Sequence, residues 1–251
     1  MTIVRVGEKM KVNDIILILV SILPAIIIGF YAYKIDKGKE PVTLLALLFC
    51  MGVTSSIVVL GVSKVLELII PFFAKATDSM NFLELFVKVF LEIAFVEEIC
   101  KWVVVYILGY KNKEYDESYD IIVYAIFVAL GFATFENLIY VLNANSVNLA
   151  FQRGLFAIPG HVAYGIFMSY YLTVAKIHYI KRDNLEFMAL VKSILIPVII
   201  HGIYDFCVFT NNTLFTVLFY IFVVILFAIS FMKLRNLASS NANMKQIKRV
   251  R

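Results

Sequence analysis

The sequence predicts an all-α fold, a polytopic transmembrane bundle of about seven helices. Three observations carry this. Of the 251 residues, 62% are hydrophobic and only 16% are charged, and mean hydropathy is +0.89. A soluble chain of this size cannot bury that much apolar surface, because too much of it would face water. The apolar residues also fall into runs of the length needed to cross a bilayer, about 20 residues each.

The runs lie at 14–33, 42–62, 82–109, 120–142, 151–175, 187–208 and 214–232. A shorter run at 65–73, close to Pro71 and Lys75, is too short to span and is expected to be an interfacial or re-entrant piece. The first run has no small-residue cleavage site and is expected to be retained. The chain is expected to form one integral membrane domain over 1–251, with the four spans of 82–209 as its reactive core.

Charge supports a membrane setting. The net charge of +5 sits between apolar runs and in the tail, with no basic aromatic stripe, so nucleic acid is not an expected partner. One set of helix ends carries Lys34, Lys37, Lys39, Lys111, Lys113, Lys176, Lys181, Arg182 and the basic tail of 233–251. The other set has Arg5, Lys9, Lys11, Lys64, Lys75 and Arg153. The richer set, and with it the C-terminus, is expected to be cytoplasmic. Cys50, Cys100 and Cys207 lie in apolar runs without metal-ligand spacing and are expected to be small buried hydrophobes.

Several residues do not belong in lipid. Glu97, Glu98 and Lys101 sit in the third run, Glu136 and Asn137 in the fourth, His161 in the fifth, and His201 and Asp205 in the sixth. Each embedded charge costs about 2.5–3.5 kcal/mol on insertion scales. With alternating helix directions, Glu97, Glu136, His161 and His201 fall in one slab about 10–20 Å below the outer surface, at ~1.5 Å per residue. That depth predicts one shared polar cavity opening outward. Lys101 can neutralise either Glu97 or Glu98 on the same helix, and this pairing is an alternative role for both acids. His201 and Asp205 are one turn apart, so the aspartate can fix the imidazole. Gly131, Gly160, Gly165 and Gly202 allow close helix approach, and Pro159 is expected to break its helix locally. Asn137 is expected to bridge helices, Trp102 to pack, Lys88 and Glu92 to lie on interfacial or packing faces, and His178 to be solvated in a basic loop.

A carboxylate beside imidazoles in a partly dry cavity is equipped to activate water, and a histidine can donate to a developing oxyanion. A metal version uses His161, His201 and one acid, Glu136 or Asp205, to hold Zn²⁺ with an open position for water. H-E-x-x-H is absent, and both Zn²⁺ and a metal-free mechanism stay open. The same groups would also serve a proton- or ion-coupled transporter; the absence of an internal repeat and the crowding of the ionisable groups into four spans weigh against it. A receptor or scaffold has no need for so many.

Four motifs occur in order on successive spans: Glu97-Glu98-Ile99-Cys100-Lys101, Gly131 to Asn137 as GFATFEN, His161 with Gly165 as HxxxG, and His201 with Asp205 as HxxxD. This combination resembles the PrsW family of intramembrane proteases, which is related to the membrane CAAX-processing proteases. The resemblance implies a bacterial plasma-membrane enzyme that cuts a single-span anti-sigma factor on its outer side. It implies Glu97 as the water-activating base with Glu98 in support, His161 and His201 binding the oxyanion, the water or a metal, and Asp205 orienting His201. Glu136 stands where the CAAX relatives have a histidine, so their mechanism does not transfer unchanged.

Overall fold

A computed structural model describes residues 12–239. The charges of Arg5, Lys9 and Lys11, and the tail beyond Ser239, lie outside the described residues. The described residues form α1 (Val12–Ile35), α2 (Val42–Ile69), α3 (Phe82–Val87), α4 (Phe95–Val104), α5 (Asp120–Ala144), α6 (Val147–Lys181), α7 (Glu186–Phe209) and α8 (Thr213–Ser239). No strand occurs among them. The chain is a polytopic helical membrane protein.

Among the described residues, six helices are long and apolar enough to cross a membrane: α1, α2, α5, α6, α7 and α8. The seventh expected span is helical throughout but not uniformly α. A π-helical stretch, Lys88–Ala94, separates α3 from α4, and a second, Val105–Tyr110, follows α4. This segment also carries Lys88, Glu92, Glu97, Glu98 and Lys101, which is why it is the least lipid-like of the seven. Its start is fixed by a capping box: Asn81 accepts from the Glu84 backbone N–H, and Glu84 accepts from that of Asn81, both at 3.0 Å.

The short piece expected at 65–73 is not separate. Nothing breaks the helix before Pro71, so α2 continues to Ile69, and turns of 3₁₀ helix follow at Pro71–Ala74 and Thr77–Ser79. Pro159 does not break α6 either, which runs through it for 35 residues.

Burial ranks the helices. In the apolar window of α5, 78% of residues are buried, against 22% in α8, so α5 is the central helix and α8 a peripheral one. Small residues allow α5 to sit there. A Cβ on Gly52 of α2 would lie 2.2 Å from the Val128 carbonyl oxygen, and one on Gly131 of α5 would lie 2.0 Å from that of Phe49. The α2 and α5 backbones therefore touch at reciprocal glycines. Gly202 of α7 does the same against the Phe90 ring, 2.6 Å from where its Cβ would be, seating α7 on the first π stretch. Outer faces such as Leu214, Val217 and Val224 of α8 remain exposed, as lipid-facing side chains do. The cysteines are free; Cys207 is buried, but Cys50 is exposed on the outward face of α2, contrary to expectation.

Candidate active site

The six site residues expected from sequence converge where α4, the C-terminal half of α5, the N-terminal half of α6 and the C-terminal half of α7 meet. Glu97, Glu98, Lys101, His161 and His201 are all buried. Glu97 and Glu98 point in different directions, as adjacent helical positions must. The Glu98 Oε1 lies 2.6 Å from Lys101 Nζ and 2.8 Å from His201 Nδ1. The Glu97 Oε2 stands 3.7 Å from Lys101 Nζ and 3.9 Å from His201 Nε2. It is fully buried and has no hydrogen-bond partner.

His161 is held on both sides. Its Nδ1 lies 3.0 Å from Lys101 Nζ, and its Nε2 lies 2.9 Å from Glu136 Oε2. An ammonium has no lone pair to offer, so Nδ1 must accept and the ring proton must sit on Nε2, donating to Glu136. Glu136 also pairs with Arg153 Nη2 at 3.2 Å. Arg153 Nε in turn donates to Asn137 Oδ1 at 3.0 Å, and Asn137 Nδ2 donates to the Ser21 carbonyl of α1 at 3.2 Å. Asn137 thus bridges helices as expected. His201 Nε2 lies 3.3 Å from Asp205 Oδ2, and its ring stacks on Tyr164 with centroids 4.7 Å apart.

Sequence reasoning missed two participants. Arg153 was expected to be an orienting charge at the end of the fifth span; α6 starts at Val147, which places Arg153 inside the bundle. Lys101 was expected to pair only along its own helix, yet it reaches across to His161. No spacing pattern reports either contact, because both partners lie on other helices. Among the residues given other roles, Trp102 Nε1 donates to Ser193 Oγ at 2.7 Å, and Lys88 and Glu92 are buried and 3.9 Å apart. His178 lies in the last turn of α6 and binds Asp183 at 2.8 Å, which holds that exposed carboxyl below its usual range.

A cavity of ≈ 260 Å³ opens onto these groups, lined by Glu97, Glu136, Arg153, His161, His201 and Asp205 among others. Glu97, His161 and His201 each present one ligand atom, all within 4.8 Å of one another. Of the two acids expected as third ligand, Glu136 is turned to His161 Nε2 and Arg153, and Asp205 to His201 Nε2.

The family assignment agrees with this site. A family model described as "PrsW family intramembrane metalloprotease" matches residues 40–231. The chain belongs to the PrsW family. It is similar to "Protease PrsW" of Oceanobacillus iheyensis, with 35% identity over 216 residues covering 86% of this chain and 93% of the relative. It is also similar to "Protease PrsW" of Clostridioides difficile, 31% identical over 87% of this chain and 90% of the relative. The Bacillus subtilis "Protease PrsW" is 33% identical over 74% and 79%. No solved structure matches. The PrsW family match spans α2 to α8 and includes all six site residues.

The family description implies a metal, and the residues fit one. Two imidazoles and a carboxylate make a donor set suited to Zn²⁺. The buried, unpartnered Glu97 oxygen is such a donor, and a His161 that gives its other N–H to a carboxylate has the outer support typical of a ligating histidine. Charge is compatible too: among the described residues, Lys101 and Arg153 are the fixed cations paired with Glu97, Glu98 and Glu136, while Asp205 pairs with His201.

Proposed function

We propose that the chain is an intramembrane endopeptidase that hydrolyses a peptide bond of a membrane-anchored protein with water activated at Glu97. The observation that carries this is Glu97, which lines the cavity and whose Oε2 is buried without a partner 3.9 Å from His201 Nε2. A buried acceptor with nothing to accept from is costly, and a water drawn in from the cavity would satisfy it.

In this reading Glu97 takes the proton of the attacking water and returns it to the leaving amine. Glu98 and Asp205 fix the His201 ring from its two nitrogens, so that its edge faces the reacting carbonyl. Lys101 holds the charge of Glu98 in place. Glu136 and Arg153 hold His161 in one tautomer. In a metal-dependent version of the same reaction Glu97, His161 and His201 would hold a divalent metal, with Glu97 serving as ligand rather than as base, and the metal would polarise the carbonyl and lower the pKa of water. His161 offers Nδ1 only when Lys101 gives up its contact there, and His201 offers Nε2 only when Asp205 turns away from it. Tyr140, Tyr204, Phe156 and Phe219 around the polar groups limit water access and supply apolar walls for a substrate segment.

The proposed substrate is a single-span protein, an anti-sigma factor in the bacterial setting that the motifs imply. The same proposal has the enzyme in the plasma membrane among its lipids, with the cavity open to the outer face and the C-terminus cytoplasmic, as the distribution of Lys and Arg between helix ends suggests. The test is cleavage of a single-span peptide by the purified protein in liposomes. Glu97→Gln is expected to lower the rate by about 10²–10⁴-fold with the melting profile kept. An active Glu97→Gln protein would remove Glu97 from the reaction. Proton-coupled uptake without cleavage would replace the reading with a transporter.

A further inference from the structure

A second cluster of acids lies at the other end of the bundle. Asp120 opens α5, sixteen residues before Glu136, which is about 24 Å along the helix. The α1–α2 connection, carrying Asp36 and Glu40, folds against it. Asp36, Glu40 and Asp120 are 2%, 5% and 0% exposed. Asp36, Glu117 and Asp120 each present a carboxylate oxygen, and the three oxygens lie within 4.8 Å of one another.

The local hydrogen bonds leave this cluster unfinished. Asp36 Oδ1 accepts from the Gly38 N–H at 3.1 Å, but its Oδ2 is buried with no partner. Asp120 Oδ2 accepts from the Asp116 and Glu117 N–H groups at 3.0 and 2.7 Å, but its Oδ1 is likewise buried with no partner. Glu40 Oε2 is taken by the Tyr124 hydroxyl at 2.6 Å. The nearby lysine does not fill the gap, because Lys39 Nζ is turned to the carbonyls of Tyr33 and Lys34. Gly38 makes room for the third acid: a Cβ there would lie 2.7 Å from a Glu117 carboxylate oxygen. Two unpartnered buried oxygens beside a third carboxylate call for a cation.

We propose that Asp36, Glu117 and Asp120 form a site for a hard divalent cation, of the calcium or magnesium class, that fastens the α1–α2 connection to the start of α5. The donors are all oxygen, as such ions require. Opposed ligands of Ca²⁺, at about 2.4 Å each, stand about 4.8 Å apart, so an ion of that size bridges the three without rebuilding the backbone. Mg²⁺, with shorter bonds, would keep more of its water. The site does not depend on proteolysis or on the metal of the catalytic cavity.

The test uses the full chain in detergent micelles, stripped with chelator, and compares it with Asp36→Asn/Asp120→Asn. The melting temperature of the unsubstituted protein is expected to rise by about 5–10 °C when Ca²⁺ or Mg²⁺ reaches a hundredfold excess over Kd. The double variant should show no such rise and bind one equivalent fewer in equilibrium dialysis. The ion giving the larger rise at equal concentration identifies the preferred class. A melt insensitive to both ions, or an equal response in the double variant, overturns the site. If the double variant does not fold, dialysis of His161→Ala, which lacks a ligand of the catalytic cavity, decides: one retained Ca²⁺ or Mg²⁺ supports the site and none refutes it.

Discussion

Lys101 Nζ lies 3.0 Å from His161 Nδ1, although the two are 60 positions apart and belong to α4 and α6. The same ammonium is 2.6 Å from Glu98, so one buried cation joins an acid to an imidazole across a helix interface. Lys101→Met removes that cation and leaves Glu98 in a dry site with only His201 to answer it. Removing one partner of a buried pair costs about 3–5 kcal/mol. The variant is expected to melt well below the parent protein in a detergent denaturation series. Lys101→Arg should recover part of the stability, since it keeps the charge.

The Glu136–Arg153 pair holds His161 from behind. Glu136→Gln leaves a hydrogen-bond acceptor but removes the charge that favours an N–H on Nε2. Loss of such outer support costs about 10–100-fold in metal affinity or activity. The expected result is a fall of that size in cleavage by Glu136→Gln with little change in melting, measured on the same preparations, whereas Arg153→Met should lower both, since it also leaves the buried Asn137 Oδ1 without its donor.

How much of this was legible in the chain follows from what burial does to a charge. Glu97, Glu98, Glu136, His161, His201 and Asp205 stand out because lipid cannot solvate them, and helical alternation is enough to put them at one depth. Arg153 was hidden because the sequence gives no break between a loop and a long helix, and α6 begins four residues earlier than the apolar run at 151. The π stretches were hidden because widening one turn leaves the apolar pattern nearly unchanged. Asp36 and Asp120 flank apolar runs, where nothing in the sequence marks them out; the packing of the α1–α2 connection buries them.

Metal content provides a separate check on the catalytic cavity. Purified protein is expected to carry about one equivalent of Zn²⁺ by elemental analysis, in keeping with the two-imidazole, one-carboxylate donor set. His161→Ala and His201→Ala should each lose it. Retention of zinc by both variants would place the metal elsewhere.

Two glycines of α2 separate close packing from helix propensity. Gly52→Ala forces a methyl into the Val128 carbonyl, 2.2 Å away, whereas a Cβ on Gly61 meets nothing within 4 Å. Gly52→Ala is expected to destabilise by about 1–3 kcal/mol, as overpacking does. Gly61→Ala should be neutral or stabilise by up to ~1 kcal/mol, since Ala favours helix over Gly. Thermal denaturation of the two single variants measures the contrast.

Glu97 and Glu136 border a second hollow as well as the first. This one, of ≈ 720 Å³, runs past Ser56, Ser63, Lys64, Glu67, Lys88 and Glu92. Ile93, Glu97, Glu136, Tyr140 and Leu149 line both. The two chambers therefore share a wall, and that wall contains the carboxylate assigned to chemistry. A scissile segment lying in one chamber would not have to block the supply of solvent through the other, and a small molecule wedged in the larger one would press on Glu97 without competing for the place of the peptide.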